Sequence, residues 1–437
     1  MAGGTWTAQN KVRPGSYFNF STSGTLGSLG SRGIVAMALA MSWGPSKQII
    51  TINAGDKVET LLGYDITDSK LLLVNEALKR AKTLLLYRLN VGTKATATVG
   101  SLTATAKYGG LRGNDLKIVI QTNIDDNSKF DVSTLLAGVE VNKQTVANIA
   151  GLTPNDWVVW SGTGSLTATA GAALTSGADG SVVNSDHTDF LAAIEVQEFT
   201  TIALTSTDSG LKAVYASFVE RLRDDEGVKI QVVMENYHTA DYEGVISVKN
   251  GVVLADGTTL TAAQAVAWVA GATAAAEVNE SLTRTAYDGA VDVNPRYTNS
   301  QIEAALVAGD FLFTQSQGRA LVEQDINSYT SFTPDKDRRF AKNRVLRVLD
   351  AINNDLKRIC DSYYLGKVDN DDDGRNLLKN EYVKYLEGLQ SIGALQNFDS
   401  KTDITIAQGE DSDAVYAEYY VQPVDAIEKI YNKVWVK

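Results

Sequence analysis

The run Asp369-Asn370-Asp371-Asp372-Asp373-Gly374 carries the plainest chemical signal in this 437-residue sequence. Asp369, Asp371 and Asp373 stand at positions one, three and five, with glycine at six, as in a calcium loop. Position twelve, which should hold a bidentate Glu, is Asn380, and Glu381 comes one residue late. Position eight is Asn376 rather than an apolar residue. A solvated acidic turn between two helices explains the run better; a weak calcium site is the alternative. His187 and His238 are the only histidines. His238 follows a predicted strand at 228–234, where α/β sheets place ligands, and Glu235 and Asp241 lie close by. General acid–base chemistry could use them. No GxSxG nucleophile motif accompanies them, and a pair of surface-loop histidines is the simpler account. The single cysteine, Cys360, excludes an internal disulfide and a Cys-rich metal site. It falls on the apolar side of a predicted helix, as a small core residue rather than a nucleophile. Gly24, Gly27, Gly30 and Gly33 recur every three residues, and Gly162-Thr163-Gly164 forms a second glycine cluster. Neither is a phosphate-loop pattern, so both read as turns.

Charge and terminal residues say more. Residues 336–367 hold nine Lys/Arg against four Asp, in a chain of net charge -12. Lys342, Arg344, Arg347, Lys357 and Arg358 are therefore candidates for docking an acidic partner, where complementary potential sets register; a solvated helix face is the rival account. Residues 428–437 read as an apolar strand. Ile430, Val434 and Val436 fall on one face, and Tyr431, Lys433 and Trp435 on the other. Such a strand needs a sheet edge to cover it. Trp6, Tyr17, Phe18 and Phe20 sit in a Gly/Ser/Thr-rich lead too sparse to fold alone. Two adhesive segments point to polymerisation by strands lent between neighbours.

The elements that must position these residues are mixed. A buried strand is predicted over 34–41, stopped by Gly44-Pro45, then a helix at 69–82 and a strand at 83–89. From about 91 to 180, short Thr/Val/Ala runs alternate with Gly, Asn and Asp turns, which is a small all-β module. A strand at 200–204, a helix capped by Asp208 and carrying Leu211, Val214, Phe218 and Leu222, and a strand at 228–234 make a βαβ unit. Asn250-Gly251 and Asp256-Gly257 signal tight turns. An alanine-rich helix is predicted over 262–276. Ser300 and Glu303 suggest a capping box. A long helix over 341–364, with Val345, Val348, Leu349, Ile352, Leu356, Ile359 and Tyr363 in one stripe, precedes a second at 376–389 and strands at 404–407 and 415–422.

The resulting expectation is an α+β / α/β multidomain chain. It has an arm (1–26), a split α/β core (27–91 and 185–335), an inserted β-sandwich-like domain (92–184), and an α+β domain (336–437) whose last residues, about 425–437, form a second arm. Length agrees with several domains, and apolar content of 44% with 21% charged residues is ordinary for globular protein. A pI near 4.8 argues against general nucleic-acid binding. No apolar run approaches the ~20 residues that span a bilayer, and no secretory leader pattern opens the sequence.

Several segments resemble the contractile tail sheath family of bacteriophages and phage-tail-like particles, in the form found with Gram-positive hosts. They are Gly33–Ala36 through Trp43-Gly44-Pro45, the turn Tyr108–Asp115, Tyr287–Ala290, Asp325–Ser328, Lys342–Asp350, and Val424–Tyr431. Their order and spacing extend over most of the chain. The resemblance implies a structural subunit with no catalysis and no cofactor. It would polymerise with itself, as a helix or stacked rings, around a tail tube protein, with baseplate and tail terminator proteins as further partners. It implies neither nucleic-acid binding nor membrane insertion. Terminal arms would complete sheets in neighbouring copies, and contraction would drive the tube through a target cell envelope. The location implied is the virion tail, assembled in the host cytoplasm. Two rival readings stand beside it: a calcium-dependent surface lattice, and an α/β hydrolytic enzyme using His238 and Glu235.

Overall fold

The computed structural model describes residues 32–436. They divide into two compact units, one of residues 32–354 with 423–436 and one of residues 355–422. Trp6, Tyr17, Phe18 and Phe20, and the whole of the predicted first arm, lie outside the described residues.

The larger unit is built on a seven-stranded sheet. Its strand order is Asp310–Phe311, Val245–Val248, Gln231–Glu235, Thr201–Leu204, Ile34–Leu39, Thr83–Arg88, Ile49–Asn53. All neighbours are parallel except the last pair. Near-continuous apolar strands are what a parallel sheet covered on both faces demands. Val35 and Met37 face a core shared with the Ala262–Ala275 and Leu72–Leu78 helices. Ala36 and Ala38 face one shared with the Asn184–Glu195 and Ser209–Asp224 helices. The alanine-rich helix is small enough to lie close: a Cβ at Gly271 would run into the Ala77 carbonyl. Asp208 caps its helix through the Leu211 amide, 2.7 Å away.

Some local expectations are corrected. The buried stripe of the Ser209–Asp224 helix is Leu211, Tyr215, Phe218, Val219 and Leu222, and Val214 points outward. On the long helix, now Asn343–Tyr363, Tyr363 is exposed while Tyr364 is buried. The cap at 298–301 is Thr298 with Gln301, not Ser300 with Glu303, because the helix starts at Asn299. Asn250 makes no hairpin turn; it is buried and binds the Phe313 backbone from both sides of its amide. His187 is no surface-loop residue: it lies buried in the Asn184–Glu195 helix, with Nδ1 2.8 Å from the Tyr215 hydroxyl. The edge strand Ile49–Asn53 was not foreseen.

Between residues 93 and 178 two sheets close over one core containing Leu102, Ile118, Val132 and Trp157. Trp43, from the turn after the first strand, enters that core and sits 5.4 Å from both Tyr108 and Trp157. The buried Arg88 guanidinium donates to the Gly44 and Gly109 carbonyls, both at 2.7 Å. Asn114 binds Gly177 through both its amide atoms. The segments that prompted the resemblance at 43–45 and 108–115 are thus the joint that fixes the β module to the core.

The smaller unit packs the Asp372–Ser391 helix on the last turns of the long helix, with Tyr385 donating to Asp355 at 2.8 Å. An antiparallel hairpin, Ile404–Gln408 and Val415–Tyr419, completes it.

Candidate assembly interface

The residues around Glu428 form a part-buried polar root. Its carboxylate accepts hydrogen bonds from Thr283 Oγ1 (2.8 Å) and Gln324 Nε2 (2.5 Å), and pairs with Lys342. Burial opposes the charge, but Lys342, Gln324 and Thr283 outweigh it and hold the carboxyl below the usual glutamate range. Behind it lies a second network. Asp325 accepts from the Leu282 amide (3.0 Å), from Asn343 (2.9 Å) and from Arg347, which also donates to the Glu280 carbonyl at 2.6 Å. Glu428 stands 145, 104 and 86 residues from its three partners. No periodicity joins positions so distant, so sequence reading missed the root.

Beyond the root the chain leaves the body of the protein. Ile430, Tyr431, Val434, Trp435 and Val436 are 74 to 95% exposed. Residues 424–436 belong to no sheet among those described, so the strand expected over 428–437 has no partner there. Among the described residues the hairpin of the smaller unit is a sheet of two strands with no third strand on either edge, and Tyr416 and Tyr420 stand exposed on or beside it.

The basic candidates separate. Arg347 is buried in the second network, which corrects its assignment as a surface charge facing a partner, and Lys342 is part-buried and paired with Glu428. Arg344 is half-buried, and its Nε is buried without a hydrogen-bond partner. Lys357 is exposed, and Arg358 is partly exposed beside Asp355 at 3.3 Å.

The acidic run spans a turn and a helix start: residues 369–371 lie between the two helices and 372–374 open the second. Asp371 is the N-cap of the Asp372–Ser391 helix, accepting from the Gly374 amide at 2.8 Å, and Asp372 pairs with Arg375. Asp369 and Asp373 flank that helix start, and Gly374 lies inside the first turn. Among the described residues no three His, Cys, Asp or Glu side chains gather as a cation site would require. The enzyme candidates are committed elsewhere. Glu235 pairs with Lys212 at 2.5 Å. His238 Nδ1 lies 3.2 Å from Asp310, whose carboxylate also takes Ser247 Oγ (2.8 Å) and Lys249 Nζ (2.9 Å). Burial raises the pKa of the Cys360 thiol, against the pull of Tyr382. No described helix is long and apolar enough to cross a membrane.

Over its whole length the chain is 43% identical to the Phage-like element PBSX protein XkdK of Bacillus subtilis (strain 168), and all of both chains is covered. The chain belongs to the phage tail sheath family. Family profiles divide it in order: Tail sheath protein Gp18 domain III N-terminal region at 32–89, phage tail sheath protein beta-sandwich domain at 90–179, phage tail sheath protein central domain at 180–328, and phage tail sheath C-terminal domain at 335–437. The sheath tail protein of Desulfitobacterium hafniense has the same fold at a TM-score of 0.89, with 64% identity over 97% of this chain and 100% of that one. The helical sheath of the anti-feeding prophage in its contracted state matches in fold alone, at a TM-score of 0.58 and 14% identity over 97% and 99%. The mixed α/β multidomain architecture with a β-sandwich is therefore that of tail sheaths. The family is a structural one that includes contractile sheaths of phage-like particles.

Proposed function

We propose that this sheath subunit polymerises by lending residues 429–436 to the hairpin of a neighbouring copy, and that the polymer contracts around an inner tube to drive it through a target envelope. One observation carries the reading. A rooted, apolar, unpaired tail and a two-stranded sheet with open edges occur in the same chain. Two strands alone are marginally stable in water; here helix packing covers one face of the hairpin, and a third strand would add backbone pairing at its edge. The core segments 27–91 and 185–335 act as the rigid body, and 336–437 as the assembly domain. The tube protein, baseplate and terminator are the other partners, and particles form in the host cytoplasm before release. Of the basic candidates, Lys357 and Arg358 retain the exposure a tube contact needs. Near His238 the polar groups engage one another, with Asp310 meeting His238, Ser247 and Lys249.

Deletion of residues 429–437 tests the arm. The full chain is expected to form hollow tubes under negative stain, and the shortened chain to stay monomeric in light scattering with an unchanged melting temperature. Tubes from the shortened chain would refute the reading.

A further inference from the structure

The β module is closed on one side and open on the other. Thr96 and Thr175 exchange backbone bonds of 2.9 and 3.0 Å, which join one edge of each sheet. The opposite edges, Val139–Val146 and Val158–Ser161, have no strand between them among the described residues. The segment 147–157 crosses that gap, and beside it lies a groove of about 530 Å³. Small-molecule sites are typically about 300–1,000 Å³. Side-chain amides set the walls of this one. Gln144 takes both backbone groups of Thr153, donating to its carbonyl at 2.9 Å and accepting from its N–H at 3.0 Å. Asn155 donates to Thr134 Oγ1 and to Asn142 Oδ1, both at 3.1 Å, and accepts from the Trp157 and Val158 backbone, both at 2.8 Å. The half-buried Trp160 donates to the same Thr153 carbonyl at 3.0 Å, so its ring lies beside the groove.

These bonds fix the amides and leave particular polar groups over. Trp157 is only 3% exposed and lines the groove, yet its Nε1–H has no partner among the described residues; a buried indole N–H ordinarily finds one. Asn142 accepts through Oδ1 from Gln144 and Asn155, and its Nδ2 is unpartnered among the described residues. At the rim the Asp156 carboxylate is 66% exposed and stands 3.5 Å from Lys107 Nζ. The lining holds one carboxylate and one ammonium, so its formal charge is zero. A divalent cation needs more than one carboxylate, and Asp156 would repel a phosphate. An added peptide strand needs free backbone groups, and Gln144 already holds those of Thr153. Val141, Pro154 and Val159 are the only apolar lining besides Trp157, too little for a lipid chain. A neutral ligand rich in hydroxyls fits, because each hydroxyl both donates and accepts.

We propose that the open side of the β module binds a saccharide. Asp156 accepts from its hydroxyls, Asn142 Nδ2 and Trp157 Nε1 donate to its oxygens, and Trp160 flanks it. The site is independent of strand lending, since none of these residues belongs to the tail or the hairpin. It gives the subunit a contact with glycans of the envelope that the particle meets. Bonds to sugar hydroxyls replace bonds to water and gain little each, so one subunit binds weakly. A polymer that repeats the site gains by avidity.

The test is calorimetric titration of the full chain with an N-acetylglucosamine tetramer and, separately, with a glucose tetramer. At least one is expected to bind with a Kd of about 0.1–1 mM. Binding of the first assigns the groove to a glycan of amino sugars, and binding of the second alone to one of unsubstituted sugars. D156A is expected to weaken that binding about tenfold or more, because bonds to a charged acceptor are the stronger ones. Asp156 is exposed, so the variant is expected to melt as the parent does. D225A removes an exposed carboxylate from the central domain and is expected to bind as the parent does. Absence of heat with both tetramers at about 5 mM would overturn the proposal. So would a D156A variant that binds as the parent does, or equal weakening by D156A and D225A.

Discussion

Glu428 shows how one side chain sets where the folded body stops and the free tail begins. Its charge is held by Lys342, Gln324 and Thr283 despite burial, and its pKa is depressed accordingly. A depressed carboxyl contributes stability above its unfolded pKa and loses it as pH falls through the folded value. The root is therefore expected to hold at neutral pH and to loosen below the usual glutamate range, near pH 4 and under. E428Q removes the charge and leaves the part-buried Lys342 without its anion, a loss of about 1–3 kcal/mol. Thermal melts of parent and E428Q should differ most near pH 7 and converge toward pH 3; parallel curves would show that the pair contributes nothing. The same residues mark what the sequence could not reveal. Nine basic side chains in one stretch read as a surface, yet Arg347 is buried against Asp325 and Lys342 is drawn to Glu428, 86 residues on. Composition gives the charges, but only tertiary contacts say which remain free.

Elements were legible where a periodic pattern coincided with burial on both sides. Ile34–Leu39 and the Ala262–Ala275 helix are of this kind, because an uninterrupted apolar or alanine run has few alternative placements. Ile49–Asn53 escaped notice because five residues at a sheet edge, with Thr51 and Asn53 exposed, carry too short an alternation. The Asp369–Gly374 run was placed between the right helices, but its capping role emerged only with the helix start at Asp372. The tail pattern was readable as a strand, and the acceptor hairpin as two strands, without any sign that they correspond. Helix contact makes a sharper prediction. Gly271 lies in a helix interior, where Ala is favoured by about 1 kcal/mol on propensity alone. Here a methyl meets the Ala77 backbone, and overpacking costs about 1–3 kcal/mol. G271A is therefore expected to lower the melting temperature; a rise would mean that the two helices separate freely.

At the scale of the whole subunit, rigidity and incompleteness are assigned to different places. The seven-stranded sheet is covered on both faces and tied to the β module by Trp43 and Arg88. Nothing in it awaits a neighbour. Among the described residues the tail and the hairpin edges have no strand partner, and the proposed strand addition would pair them. Each new backbone bond contributes about 0.5–1.5 kcal/mol, while ordering each tail residue costs about 1–2 kcal/mol. Those terms nearly cancel, so burial of Ile430, Val434, Trp435 and Val436 decides the outcome. Such a division lets bodies move against one another while the strands keep them joined, as a contracting sheath requires. It also predicts where assembly changes local stability, since amide exchange reports local opening. In free subunits, residues 404–419 and 429–436 should exchange quickly and the strands at 34–39, 83–88 and 201–204 slowly. On assembly the first two segments should become strongly protected while the central strands change little. Protection gained across the central sheet instead would mean that the body itself refolds on assembly, and the tethered rigid-body account would fail.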